Sequence, residues 1–260
     1  PPPPPPPHTH TSALGASLLC IRDRKNYNVK EILKSDQALA FSNYLKKLNN
    51  ELTFEIIFPK KLWPNIEKEQ PDEAMQYINQ HHNVFQDSTE NDFGIDYILG
   101  ASTSADCWIH IKKGKDEVVG YATNVFYKIN SQKVNFFRVT FFKQSIRQLK
   151  IYPYLQDLRI NIFPSNFIFS RTQNPVVYKI FSRFFKLYGL KIAPSLNGFD
   201  SKCIKVARSL GFDVDDNLII KNAVRGIVAK NTPFIEGEID TLWKKIDLNN
   251  GDVYLVVGYK

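Results

Sequence analysis

Nowhere in the 260 residues is there an apolar run near the ~20 that a membrane-crossing helix needs. The first residues also lack the charged-then-apolar pattern of a secretory leader. Cysteine is scarce: Cys20, Cys107 and Cys203 are odd in number, far apart and outside any Cys-x-x-Cys or Cys/His ligand spacing. That usage predicts buried or idle thiols in a reducing compartment, and with the missing span it predicts a soluble, cytoplasmic protein. No Gly-Lys-Ser/Thr phosphate loop, dinucleotide glycine fingerprint, His-Glu-x-x-His or Gly-x-Ser-x-Gly occurs. The chemistries those motifs carry have no foothold here. His8 and His10 lack visible partners for a metal, and the consecutive His81 and His82 are expected on the surface of a polar helix. No metal is expected.

What is present is enough for a core, since 43% of the residues are hydrophobic. The net charge of +8 and pI near 9.2 imply attraction to anions: nucleic acid, an acidic membrane surface or a phosphorylated small ligand. Residues 1–28 open with seven prolines and carry no core-forming pattern, so they are predicted to be a disordered, proline-rich tail. Residues 29–260 are predicted to form one domain.

Periodicity predicts its elements. "VKEILKSDQALAFSNYLKKLNN" spaces Ile32, Leu33, Leu39, Phe41, Tyr44, Leu45 and Leu48 mostly three or four apart, as an amphipathic helix does. A strand at "LTFEIIF" and a helix renewed at Pro71 follow. Then "DCWIHIKK", "VVGYATNVFYKI" and "VNFFRVTFFKQSI", joined by short turns, predict an antiparallel meander. After it come helix ("YPYLQDLRINIF"), strand ("SNFIFSRT"), helix ("NPVVYKIFSRFFKLYG"), a helical patch at "SKCIKVARSLG" and a last strand ("GDVYLVVGYK"). This order predicts an α/β layered fold with a mixed sheet, one half of it antiparallel.

Three stretches resemble the GCN5-related N-acetyltransferase (GNAT) superfamily, over the element order from Leu52 to Lys260. "EVVGYATNVFY" is similar to that family's third strand, with Gly120 where backbones would pack closely. "VNFFRVTFFKQSIRQLKIYPYLQDL" runs from a long strand into the place of the family's Arg/Gln-x-x-Gly-x-Gly/Ala loop, and "FIFSRTQNPVVYKIF" resembles its fifth strand with an Asn opening the next helix. The resemblance implies a GNAT-like acyl-CoA N-acyltransferase fold, a mixed central sheet with an antiparallel meander and flanking helices. It further implies acyl transfer from acetyl-CoA or another acyl-CoA to a small-molecule or peptide amine. Arg147, Gln148, Leu149, Lys150, Ile151 and Tyr152 would hold the coenzyme's pyrophosphate together with Asn174. Arg171, Thr172 and Gln173 would line the cleft for pantetheine or acceptor.

The sequence departs from the family at two places. Aligned on Arg147, the glycine positions are Lys150 and Tyr152; their side chains either block backbone approach to the coenzyme or, at Lys150, replace partial charges by a formal one. The position of the family's tyrosine acid falls on Phe181, so Tyr178, one turn earlier, is the candidate general acid. No acidic residue lies in residues 134–146, and nothing in the sequence locates Asp106, Glu117 or Asp157 as a base. Asn174 and Pro175 are also accounted for as a plain helix start.

Two other readings stand beside this one: a GNAT-fold binding protein without catalysis, suggested by the missing glycines and hydroxyl, and a basic nucleic-acid surface. The latter draws on Lys143, Arg147, Lys150, Arg159, Arg171, Lys179, Arg183 and Lys186, interleaved with Phe142, Tyr152, Tyr154, Phe181 and Phe184. The long stretch with Arg225 and Gly226 is either a surface connection or a reach over the acceptor side.

Overall fold

The computed structural model describes residues 28–196, 200–230, 233 and 235–260, with the backbone alone of 21–22. The polyproline run, His8, His10 and Cys20 lie outside the described residues. In chain order the elements are β1 (Ile21–Arg22), α1 (Val29–Leu33), α2 (Asp36–Leu48), β2 (Leu52–Ile57), α3 (Pro59–Leu62), α4 (Ile66–Glu69), α5 (Asp72–Thr89) and α6 (Ile95–Thr103). The meander is β3 (Cys107–Lys113), β4 (Glu117–Ile129) and β5 (Gln132–Phe142). Then follow α7 (Gln144–Arg147), α8 (Ile151–Ile162), β6 (Phe167–Thr172), α9 (Pro175–Leu187), β7 (Lys191–Ala193), α10 (Ser201–Ser209), β8 (Ile219–Ile220), α11 (Glu238–Trp243) and β9 (Val253–Tyr259).

The strands form one mixed sheet in the order β2-β3-β4-β5-β6-β9-β7, with β1 added to β4 and β8 to β9. Among the described residues only β5 and β6 run parallel, and every other pair is antiparallel. The expected mixed sheet, antiparallel meander and flanking helices are therefore present. Asn130 and Ser131, both at positive φ (45° and 64°), turn β4 tightly into β5. One layer of apolar side chains joins α2 and α8 to the sheet, and α9 with α11 continues it. The opposite face is covered by α5 and α6 over the meander and by α10 over β6 and β9.

Several expectations change. The first helix is broken at Ser35, whose hydroxyl caps the second segment by accepting from the Ala38 N–H at 3.3 Å, and Leu33 and Leu39 are exposed rather than in the core. Ile21 and Arg22, within the stretch set aside as a tail, pair with Lys128 and Tyr127. The third meander strand stops at Phe142 and the chain turns helical at Gln144. Gly120 is as tightly placed as expected, since a Cβ there would lie 2.7 Å from Phe142 Cδ1.

Candidate functional site

Two neighbouring facts about β5 shape the site. First, Thr123 faces Val139 and Asn124 faces Phe137, so Arg138 is an extra residue, a β-bulge. Second, parallel pairing with β6 runs from Val134↔Phe167 only to Phe137↔Ser170. Beyond that point β5 continues to Phe142, while Arg171 and Thr172 follow β9 through Leu255 and Tyr254. The two strands part at the bulge, and β5 runs on to Phe142 without β6 as its partner.

Arg159 of α8 braces this point from behind. Although fully buried, its guanidinium donates to Asn124 Oδ1 (2.8 Å), the Thr123 carbonyl (2.8 Å), Thr140 Oγ1 (2.6 Å) and Gln156 Oε1 (3.3 Å), and lies 4.0 Å from the Phe137 ring. Every partner is neutral. Burial pulls its pKa down to about 9.

The turn from β5 into α8 combines kept and altered features. Lys150 sits at the N-cap of α8 with φ 53°, the left-handed conformation that glycine serves, and its side chain is exposed. No side chain caps α8, so the N–H groups of Ile151 and Tyr152 have no side-chain acceptor, and Pro153 in the same turn has no N–H. The Leu149 carbonyl accepts from Tyr44 O–H at 2.9 Å, and Ile151 is buried in the core. Gln148 is exposed, whereas the Arg147 guanidinium turns back to the Ser88 carbonyl on α5. Tyr152 packs edge-on against Phe142 (6.3 Å) and Phe181 (6.2 Å), between α8 and α9.

At the end of β6 local structure accounts for three of the four polar residues. Asn174 Oδ1 accepts from the Val176 N–H at 2.9 Å and Pro175 begins the helix, as a helix start requires. Thr172 Oγ1 accepts from the Asn174 N–H at 2.9 Å. The Gln173 amide donates to the Gly226 (3.0 Å) and Asp252 (3.1 Å) carbonyls and accepts from the Val228 N–H (2.9 Å). It pins the stretch 226–228 to the strand. Arg171 differs: its guanidinium lies 5.4 Å over the Phe136 ring on the α5–α6 face, and burial lowers its pKa while Tyr97 and Tyr127 oppose the shift.

Arg171 has company there. Arg138 donates to the Gly100 carbonyl of α6 at 3.4 Å, and Arg225 donates to the Phe93 carbonyl at 3.0 Å. The Phe93 ring stands edge-on to Tyr97 at 5.1 Å. The stretch containing Arg225 thus crosses to the α5–α6 side. Burial holds the Tyr97 phenol above its ordinary pKa, against the pull of Arg171, Arg138 and Arg225. Sequence reasoning missed this grouping because α6 itself was not foreseen.

The catalytic candidates are differently placed. Tyr178 is buried and donates its O–H to the Pro194 carbonyl at 2.6 Å; burial, then the charge of Glu238, pushes its pKa up to about 12. Asp106 accepts from Lys60 Nζ and the Phe126 N–H, and Glu117 pairs with Lys143 at 2.8 Å. Burial raises the pKa of Asp157. His81 is fully buried, not on the surface. Its Nε2 lies 2.8 Å from His110 Nε2, its Nδ1 2.9 Å from Ser102 Oγ, and His110 Nδ1 2.9 Å from Glu55 Oε1. One neutral arrangement satisfies this chain: Ser102 donates to His81, His81 to His110, and His110 to Glu55.

The basic, aromatic-rich surface proposed for nucleic acid does not assemble. Phe142, Phe181 and Phe184 are buried and Arg159 lies in the interior; Lys179, Arg183 and Lys186 remain as the exposed face of α9. Cys107 and Cys203 are buried thiols, their pKa values raised by burial. No helix among the described residues is long and apolar enough to cross a membrane.

No family model and no curated protein sequence matches the chain. Among solved structures, it is similar to the diaminobutyrate acetyltransferase of Paenibacillus lautus, in complex with L-2,4-diaminobutyric acid and coenzyme A (8% identity, 55% of this chain and 80% of that one, TM-score 0.38). It is also similar to Naa50 of Arabidopsis thaliana with a bisubstrate analogue (13% identity, 80% and 97%, TM-score 0.37). A third is a GCN5-related glucosamine N-acetyltransferase region of a fungal multi-domain enzyme (11%, 65% and 20%, TM-score 0.40). The first and third of these are named as acetyltransferases.

Proposed function

We propose that the protein transfers an acyl group from an acyl-CoA to an amine. The observation that carries this reading is the parting of β5 and β6 at the Arg138 bulge, in line with the uncapped start of α8. A thioester arm entering the cleft would extend the β5 ladder where β6 leaves it. A backbone N–H of β5 next to the bulge would then polarise the thioester carbonyl, as an oxyanion hole does. The Arg159 network keeps that backbone from moving.

The pyrophosphate belongs at the turn 147–152. The N–H groups of Ile151 and Tyr152 and the Lys150 ammonium would supply the positive field, and the left-handed backbone at Lys150 keeps the chain's path open despite the side chain. Arg147 reaches the phosphates only after leaving Ser88. The half-buried Tyr152 ring, backed by the buried Phe181, would be the wall on which the pantetheine arm rests.

The amine approaches from the α5–α6 side, attacks the carbonyl carbon and loses a proton; the C–S bond breaks and the thiolate takes one up. Tyr178 is the sequence's candidate for that last proton. Because its O–H is given to the Pro194 carbonyl, we assign proton exchange to water at the open end of the cleft, with the Tyr178 ring as packing.

Calorimetric titration with acetyl-CoA and with coenzyme A lacking its 3′-phosphate tests the reading. Saturable binding of acetyl-CoA, followed by product formation on a panel of amines, is expected. Absence of binding to either compound removes the acyl-transfer assignment and leaves the non-catalytic reading of the fold.

A further inference from the structure

The charges of the chain are not spread evenly along the sheet. One line of register crosses it at the end away from the coenzyme turn. Arg22 of β1 faces Tyr127, Tyr127 faces Val134, Val134 faces Phe167, Phe167 faces Tyr259, and Tyr259 faces Lys191. At about 4.8 Å per strand this line is about 24 Å long. The chain returns to it after α8, after α9 and at the start of α10. The segments that meet there, 127–133, 161–167, 186–191, 200–202 and 258–259, hold the lysines Lys128, Lys133, Lys186, Lys191 and Lys202. Their one carboxylate is Asp200, which caps α10 by accepting from the Cys203 N–H at 3.1 Å.

Lys128 and Lys133 are directly opposed across β4 and β5, a pairing of like charges that weakens a sheet. Lys133 Nζ lies 5.8 Å over the buried Phe163 ring, and Lys202 Nζ lies 5.4 Å over the buried Phe167 ring and 5.9 Å over that of Tyr259. Lys202 also donates to the Lys260 carbonyl at 3.1 Å. The end of α9 adds an apolar group to this row. Leu187 is 84% exposed, more than any other large hydrophobic among the described residues, and in the chain it stands between Lys186 and Lys191.

A row of lysines with a protruding leucine matches a bilayer surface: the ammonium groups meet anionic headgroups, and the leucine enters the boundary with the acyl chains. Nucleic acid answers the charge equally well, but single strands also stack their bases on open aromatic faces. Here Phe163 and Phe167 are buried, with lysines lying over them.

We propose that the protein docks on an anionic membrane surface through the line from Lys128 to Lys191, with Leu187 entering the headgroup boundary. The turn 147–152 follows the other end of β5, which runs about 26 Å from Val134 to Phe142, so the coenzyme turn lies clear of the lipid. The docking surface does not depend on the acyl-transfer reading.

The full chain is mixed with vesicles of phosphatidylcholine, alone or with about 30% phosphatidylserine, and the bound fraction is measured by sedimentation. Binding to the anionic vesicles alone is expected, falling steeply as salt rises from about 0.1 to about 0.5 M. Lys128→Glu with Lys191→Glu, both at exposed positions, should reduce affinity by about tenfold or more. Lys46→Glu with Lys47→Glu, the same change of net charge on the exposed last turn of α2, should reduce it less. Leu187→Ser leaves the charge unchanged and should weaken binding several-fold. Single-stranded RNA of about 20 nucleotides, followed by fluorescence anisotropy, should bind more weakly than the anionic vesicles and without regard to Leu187. No binding to anionic vesicles, equal loss in the two double variants, or full affinity of Leu187→Ser overturns the proposal. RNA binding that depends on Lys128 and Lys191, in a protein indifferent to vesicles, overturns it too and assigns the row to nucleic acid.

Discussion

Arg159 Nη1 donates to Thr140 Oγ1 at 2.6 Å, so a buried cation on α8 is fastened to β5 two residues past the bulge. The same guanidinium holds Asn124 and the Thr123 carbonyl on β4, which makes it a clamp across three elements.

Arg159→Lys should therefore be costly although it keeps the charge. An ammonium cannot serve four acceptors in a fixed fork, and each buried acceptor left unpaired costs about 1–3 kcal/mol. A loss of about 2–4 kcal/mol in urea denaturation is expected. An unchanged midpoint would show that water replaces the clamp and that the bulge does not depend on it.

The buried His81–His110 pair makes stability fall in mild acid. Burial, then the charge of His110, holds His81 well below its ordinary pKa; burial also lowers His110, against the opposing bond and charge of Glu55. Below the unfolded value of about 6.5 the unfolded chain takes up protons that the folded chain refuses. Stability is complete above that pH and falls as the pH drops toward the depressed folded values, by up to about 1.4 kcal/mol per unit for each histidine. Denaturation curves at pH 7.5, 6.5 and 5.5 should show the slope, and His81→Gln should flatten it. A wild-type profile that is flat over this range would mean the chain opens to admit the proton.

Lys150 pays conformational energy for a left-handed backbone, so Lys150→Gly should stabilise the fold by about 0.5–1 kcal/mol. If the turn binds the coenzyme through charge, Lys150→Ala should weaken coenzyme A binding several-fold, more strongly at low salt, as loss of one phosphate contact does. Unaltered affinity in the alanine variant would leave the backbone N–H groups as the whole of the anion site.

These residues also show what the sequence could convey. The meander was legible because three long runs with turn residues between them leave few alternatives, and Asn174-Pro175 was legible because caps are local chemistry. Short pieces were not: α6, β7, β8 and α11 exist through partners far along the chain, and three or two residues carry no period. Arg138 could not be seen as special, since a bulge is a count of pairs across two strands. His81 was placed outside because its neighbours are polar, and only the approach of His110 and Ser102 makes its burial tolerable. Thr172 and Gln173 stood out as polar, yet their partners lie within the fold.

Tyr178→Phe separates two roles for that ring. Losing the bond to the Pro194 carbonyl should cost about 1 kcal/mol of stability and leave kcat for any acetylated amine unchanged. A fall in kcat with stability preserved would instead make Tyr178 the proton donor.

The bulge also bears on what small changes in chain length would do. Phe137 and Thr140 face α8, while Arg138 and Val139 both turn toward α5 and α6. Deleting Arg138 alone would leave Phe137, Val139 and Thr140 on their present sides and let the β4–β5 ladder run on without interruption. One codon thus separates a kinked strand from a straight one with the same core, and composition scarcely changes. Homologous chains that differ by a single-residue gap at this point would share the packing of this protein without sharing its opening between β5 and β6.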